Sequence, residues 1–387
     1  MMTRFGLPPG FRLGIIGGGQ LARMSAYEAF KLGIHVGAVC SESGKDPMEQ
    51  VTPTVFRGDV SDYDTLMKLA EWADVITLEN EFLDGEVLER VQRDSGKPVY
   101  PSPKSFKLIE SKRLEKETFR EAGIPVADFV VVENVQAIQK TGARLGWPFI
   151  LKSSKGGYDG YGNAVVSNQA EAEKAFRNFG GEEGREVIAE EMVDFTKELA
   201  VMVARNAHGM VSFPCCETIQ HHHICAKVLA PAPISRRLRD ECVALAEKAI
   251  QAIDGIGIFG FEFFLTKDNE LLLNESAPRP HNSGHFSMEA CSVSQFETHV
   301  RAVCGLPLIK PVMRYPAAVM VNLLGKFNGP AELTLPVSES AHEEVHLHVY
   351  GKSESRLGRK MGHITVLGNN PESTLATADR LEKATVL

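Results

Sequence analysis

The residues best placed to do chemistry lie between Phe261 and His285, in the run FEFFLTKDNELLLNESAPRPHNSGH. Two short apolar segments, Phe261 to Leu265 and Leu271 to Leu273, predict β-strands joined through Lys267, Asp268 and Asn269. Each carries a carboxylate, Glu262 on the first and Glu275 at the end of the second, with Asn274 alongside. A carboxylate set among Phe and Leu is costly to bury without a compensating cation. Magnesium suits the pair, because it takes one or two carboxylates and completes its shell with water and a substrate's phosphates. The run continues into Arg279, His281, Asn282 and His285 on a Pro-rich loop, which has more hydrogen-bonding groups than a turn needs. A bare solvent-edge hairpin is the competing reading.

Further candidates are scattered along the chain. Lys152 ends an apolar strand and is followed by SSKGGYDGYGN, four glycines in eleven residues, an arrangement in which an ammonium and a flexible loop can grip nucleotide phosphates. A plain hairpin with a glycine turn also fits. Glu190, Glu191 and Glu198 flank a strand-turn-strand, as a polar-ligand edge or a solvated one. Lys352, Arg356, Arg359 and Lys360 form a local basic patch able to hold an anion, unless it is a solvated charge run. His221 to His223 do not make a metal site, since consecutive residues of an extended segment point to opposite faces.

The elements that must position these groups begin with RLGIIGGGQL, a strand running into glycines and a helix, followed by a second strand from His35 to Cys40. Gly17, Gly19 and Ala22 fit the dinucleotide pattern G-x-G-x-x-A, with Glu42 near the ribose-binding position, so this stretch alone allows a dinucleotide, another phosphate or a structural turn. A helix over 62–72 and a strand over 74–78 deliver Glu79, Asn80 and Glu81 to the carboxyl edge where open parallel sheets bind ligands. These repeats predict a doubly wound α/β domain over residues 1–105. The charged amphipathic stretch from Pro101 to Pro125 reads as a linker helix. It opens a lid domain over 106–195, and a C-terminal domain over 196–387 carries the metal site and later strands.

Length and composition bound the class. At 387 residues the chain is long enough for two or three domains, and 43% hydrophobic with 24% charged residues is ordinary for a globular protein. A net charge of −8 argues against a nucleic-acid or membrane-surface binder. Seven cysteines at 40, 215, 216, 225, 242, 291 and 304 give neither a disulfide framework nor zinc-type pairing, and no apolar run approaches the roughly 18 residues of a membrane helix. With no signal-peptide pattern, a cytoplasmic location is expected.

Taken together, GGGQL at 17–21, GGYDG at 156–160, NESAPRPHNSGH at 274–285, SQFETHVRAVCGLP at 294–307 and GRKMGH at 358–363 make the chain resemble the ATP-grasp superfamily over its whole length. Within it, the chain is most similar to the N5-carboxyaminoimidazole ribonucleotide synthetase family of purine biosynthesis. The resemblance implies an ATP-grasp fold of mixed α/β and α+β class. It implies carboxylation of 5-aminoimidazole ribonucleotide with ATP and bicarbonate, through carboxyphosphate, and a homodimer using Mg²⁺ or Mn²⁺. By the same resemblance Arg113 and Lys152 would contact ATP phosphates; Glu190, Glu191 and the backbone near Val193 would hold adenine, and Glu198 the ribose. Glu262, Glu275 and Asn274 would bind the metal. Tyr158, Asp159, Arg279, His281 and Asn282 would surround the reacting groups, with His281 handling a proton. Lys352, Arg359 and Lys360 would grip the ribonucleotide phosphate, while Gln20, Leu21, Glu79 and Glu81 close the site. Which of Glu79 and Glu81 faces the substrate stays open, because the segment reads LENEFLD where many members have an EFEN-like order.

Three rivals predict different behaviour. A formate-dependent glycinamide ribonucleotide transformylase-like enzyme would depend on formate, a nicotinamide dehydrogenase would bind NADH, and a non-catalytic ATP-binding protein would show no substrate-dependent phosphate release.

Overall fold

The computed structural model describes residues 6–156, 162–221, 224–334 and 343–386. Tyr158 and Asp159 of the expected lid, with Tyr161, His222 and His223, lie outside these residues.

The opening repeats form a parallel sheet, in the order Val55–Arg57, His35–Cys40, Arg12–Ile16, Val75–Leu78, Val99–Tyr100. Both of its faces are covered, as a parallel sheet requires. Leu13, Ile15, Val36 and Ala38 pack with Ala22, Ala26 and Ala29 of the Gln20–Lys31 helix, while Ile16, Val39 and Ile76 pack with Leu66 and Leu69 of the Tyr63–Trp72 helix. Asp62 caps the latter helix by accepting from Thr65 N–H.

Phe129–Val131, Val187–Glu191, Phe149–Ser153 and Asn163–Val166 make a smaller antiparallel sheet. Helices Ala137–Leu145 and Gln169–Asn178 bury Ile138, Ala172 and Phe176 against it.

The largest sheet runs Leu271–Ala277, Gly257–Thr266, Phe195–Asn206, Cys216–His221, Ile224–Ala230, Ala317–Leu324, Lys360–Gly368, Glu344–Val349. Period-two alternation sorts its faces. Leu199, Val201, Val203, Phe261 and Phe263 enter the core beneath the Arg236–Ala252 helix, so Glu198 and Glu262 emerge on the opposite face. The expected linker is two helices, Pro103–Glu110 and Lys112–Glu121, broken at Ser111, whose hydroxyl accepts from Leu114 N–H and caps the second. Phe119 carries that helix into the core of the large sheet.

Val300 and Val303 of the Gln295–Val303 helix pack into the core of the first sheet, and His299 Nε2 meets Thr77 Oγ1 at 3.0 Å. The Gln295–Val303 helix thus packs against both the N-terminal sheet and the large sheet. All seven cysteines are buried and unbridged, and no helix among the described residues is long and apolar enough to cross a membrane.

Candidate active site

Glu262 and Glu275 are direct partners on antiparallel strands. A one-residue irregularity makes this pairing: Phe263 opposes Leu273 but Glu262 opposes Glu275, so Asn274 is the extra residue of a bulge. In unbroken register Glu262 would face Asn274. The bulge also turns the Asn274 carbonyl to Lys116, whose Nζ donates to it at 3.3 Å.

Two like charges paired directly across a sheet do not both stay ionised without help. Desolvation by the cleft walls, then Glu275 and Glu198, push the Glu262 carboxyl up to about 8. Glu275 goes the other way: the walls raise it, but Lys112, then Lys152, hold it below the usual carboxylate range. Lys112 Nζ lies 3.5 Å from Glu275 Oε2. The donor set, one charged and one protonated carboxylate facing each other, fits a hard divalent cation whose charge would release the Glu262 proton.

Lys112 and Lys116 are residues the sequence reading missed. They stand one helical turn apart on the inward face of Lys112–Glu121, together with Glu115. Lys116 is 2% exposed and its Nζ lies 3.3 Å from Glu190 Oε2, the same oxygen that accepts from Lys152 at 2.8 Å. Glu190 therefore lies between two ammonium groups. Burial raises its pKa but Lys116 and Lys152 pull it below normal, and its Oε1 is buried without a partner. Glu115 accepts from Ser276 N–H and Oγ–H, and burial lifts it to about 7.

Arg113 donates to Glu186 at 2.6 Å and Glu117 at 2.7 Å, so its guanidinium is already paired. Glu191 accepts from Asp128 N–H at 2.8 Å, next to half-buried Val193. Glu198 shares the Glu262 face of the sheet.

The first domain settles its two acids apart. Glu79 accepts from Gly19 N–H and from Ala22 N–H, the latter at 2.9 Å, and so caps the Gln20–Lys31 helix, for which Gly19 has no side chain to do it. A Cβ on Gly17 or Gly19 would collide with this carboxylate. The glycine loop accordingly cradles the protein's own Glu79 where a dinucleotide would place its pyrophosphate, which removes the basis for the dehydrogenase reading. Glu81 instead forms a two-point pair with Arg279 through Nε and through Nη2 at 2.6 Å. Leu21 is buried with Met24, Phe296 and Tyr350. Gln20 lines a neighbouring cleft of about 460 Å³ with Arg23, His348 and Tyr350.

The loop after Glu275 is pinned by another residue missed in the sequence. Gln295, fully buried, accepts from His281 N–H at 2.9 Å and donates to His281 O and His285 Nδ1, both at 2.8 Å. Asn282 exchanges hydrogen bonds with buried Asn322 at 3.0 and 2.5 Å. His281 Nε2 lies 3.5 Å from Glu262 Oε1 and its Nδ1 meets Ser283 Oγ at 2.7 Å. Burial, Arg279 and Lys360 drive its pKa down to about 3. The ring therefore favours its neutral form in this setting.

On the far side Lys352 Nζ donates to Lys360 O at 2.7 Å and Arg359 Nη1 to Glu354 O at 2.8 Å. Burial, then Arg359 and Lys360, lower Lys352 to about 8. Arg356, in contrast, lines an open cleft of about 710 Å³ with Lys45 and Glu354.

Family models match as a ribonucleotide synthetase preATP-grasp domain over residues 11–110, an ATP-grasp domain over 117–296 and a phosphoribosylaminoimidazole carboxylase C-terminal domain over 318–377. The chain is 38% identical over 367 residues to the N5-carboxyaminoimidazole ribonucleotide synthase of Staphylococcus aureus, covering 94% of this chain and 95% of that one. The chain belongs to the N5-carboxyaminoimidazole ribonucleotide synthase family. Its fold is the ATP-grasp fold of that family. The solved synthetase of Thermotoga maritima superposes with a TM-score of 0.85 at 36% identity, covering 97% of this chain and 99% of that one. The synthase of Aspergillus clavatus, solved with ADP and 5-aminoimidazole ribonucleotide, also gives 0.85, at 31% identity over 97% and 98% of the two chains. Some relatives are longer: this chain, 42% identical to the phosphoribosylaminoimidazole carboxylase of Candida albicans over 92% of its own length, spans 63% of that protein.

Proposed function

We propose that the protein uses ATP and bicarbonate to carboxylate 5-aminoimidazole ribonucleotide on its exocyclic amine, giving N5-carboxyaminoimidazole ribonucleotide through carboxyphosphate. The observation that carries this reading is the Glu262–Glu275 pair, facing each other beneath Lys112 and beside His281.

Glu262 and Glu275 would hold Mg²⁺, or Mn²⁺, with the Asn274 bulge setting their approach. When bound, the cation neutralises phosphate charge and aligns the γ-phosphate. Lys112 and Lys152 supply further positive charge at the phosphates, with Arg113 behind them, and Glu190 between Lys116 and Lys152 fixes the second ammonium. Glu191, Val193 and Glu198 line the nucleotide side. A bicarbonate oxygen attacks the γ-phosphorus, the bond to ADP breaks, and carboxyphosphate forms; this step needs charge neutralisation more than covalent help. Arg279, oriented by Glu81, holds the bicarbonate-derived anion. Neutral His281 and Asn282 border it as hydrogen-bonding groups. The lid, with Tyr158 and Asp159, would exclude water from the labile acyl phosphate. The amine then attacks the carboxyl carbon, inorganic phosphate leaves, and the nitrogen gives up a proton.

Lys352, Arg359 and Lys360 take the ribonucleotide phosphate, and Glu81, with Gln20, faces the substrate, whereas Glu79 and Leu21 support the first domain from within. We further propose three domains with boundaries near 105 and 195, a homodimer and a cytoplasmic location. Phosphate release from ATP, measured with and without 5-aminoimidazole ribonucleotide and bicarbonate, tests the activity; release that ignores the ribonucleotide overturns it.

A further inference from the structure

Lys352 follows a turn that is held from both sides of the domain boundary. Tyr350 is 2% exposed, its N–H donates to Met361 O at 2.9 Å, and its hydroxyl meets His363 Nδ1 at 2.9 Å. The carbonyls of Tyr350 and Gly351, in contrast, point at the N-terminal domain. Arg23 Nη1, from the Gln20–Lys31 helix, donates to Tyr350 O at 3.1 Å. Gln50, at the end of the short Pro47–Gln50 turn, donates from Nε2 to Gly351 O at 2.6 Å. The two clamping side chains are themselves joined, because the same Arg23 nitrogen donates to Gln50 Oε1 at 2.6 Å, and Arg23 Nε donates to Tyr27 OH at 2.8 Å.

Gly351 makes the clamp possible. It sits at φ +76°, a region other residues rarely adopt, and a Cβ there would run into Arg23 Nη1 and the Gln50 amide. Two consecutive carbonyls are thus fixed by charge-assisted and amide donors from another domain, one residue before the ammonium that the proposed phosphate pocket needs.

We infer that Arg23 and Gln50 are positioning residues that aim Lys352 at the ribonucleotide phosphate across the domain boundary. The inference rests on the proposed substrate reading of Lys352. Each acts through the Tyr350–Gly351 turn, as supporting shells act on binding groups. Ribonucleotide affinity therefore depends on the first domain being docked, whereas ATP binds to elements this clamp does not reach.

Steady-state kinetics of the full chain test this with Arg23→Ala, Gln50→Glu, Lys352→Ala and the double variant Arg23→Ala/Lys352→Ala. Gln50→Glu keeps the acceptor for Arg23 and turns the donor to Gly351 O into a repelling carboxylate oxygen, so it serves if Arg23→Ala does not fold. Both single clamp variants should raise the KM for 5-aminoimidazole ribonucleotide roughly three- to tenfold, the equivalent of one lost hydrogen bond, with kcat and the KM for ATP unchanged. In the Lys352→Ala background the Arg23→Ala effect should vanish, because both changes remove one interaction. The same rise in both backgrounds, or a parallel loss of kcat and ATP affinity, overturns the inference. A rise in Lys352→Ala with none in either clamp variant also overturns it, alone. No rise in Lys352→Ala overturns the phosphate-pocket reading and the clamp with it.

Discussion

Glu275 stands directly across the sheet from Glu262, and only the bulged Asn274 puts it there. The pair links strand register to metal chemistry, because the same geometry that crowds two carboxylates prepares them for a cation. Glu275→Gln should lower kcat/KM by on the order of 10²- to 10³-fold, the loss expected when one charged group at a transferring phosphoryl is removed. Its fold should be unchanged by circular dichroism. Turnover within a few-fold of wild type would remove this pair from the site.

Glu262 adds a pH signature to the metal-free protein. Its carboxyl is raised from an ordinary 4.5 to about 8, so the folded state binds this proton more tightly than the unfolded chain does. The resulting stability is full below about 4.5 and is lost as pH rises through 8. Chelator-treated protein should therefore lose Tm between pH 5 and 9, and Glu262→Gln should flatten that part of the slope, as read by thermal scans. An identical slope in the variant would place the proton elsewhere.

Lys352, lowered to about 8, gives the ribonucleotide side its own profile. Its positive charge is present below that pH and lost above it. The KM for ribonucleotide should rise above pH 8 in the wild type, and Lys352→Arg, which stays charged, should delay the rise. A profile that does not respond to Lys352→Arg would contradict the assignment.

Glu79 caps a helix from a neighbouring strand, so its removal should act on stability first. Glu79→Ala should cost about 1–2 kcal/mol by denaturant unfolding, as loss of a helix cap does. Because the helix N-terminus is filled by Glu79, NADH should give no fluorescence titration with the wild type. Stoichiometric NADH binding would restore the dinucleotide reading.

Much of this was legible in the sequence. Alternation placed Phe261 and Phe263 inside and Glu262 out, and the glycine-terminated strand opened a doubly wound sheet. What was hidden was hidden for physical reasons. The bulge at Asn274 leaves no mark in a run of LLLNES, since register is a property of two strands together. Lys112 and Lys116 looked like the solvated charges of a linker, although their spacing with Phe119 marks one inward helical face. Glu79 and Glu81 differ by two positions, and only the backbone path shows that one turns to Gly19 and the other to Arg279. Gln295 bonds to backbone groups of His281, a contact that no side-chain pattern encodes.

The central claim is that the Glu262–Glu275 cleft couples ATP cleavage to carboxylation of a ribonucleotide. Its most direct test is phosphate release from ATP by the full chain with Mg²⁺ and bicarbonate, with and without 5-aminoimidazole ribonucleotide, alongside ¹³C transfer from labelled bicarbonate. The account predicts that the ribonucleotide stimulates release and that label appears on its exocyclic nitrogen, one per phosphate. Release that proceeds equally without the ribonucleotide, or that requires formate, would contradict it.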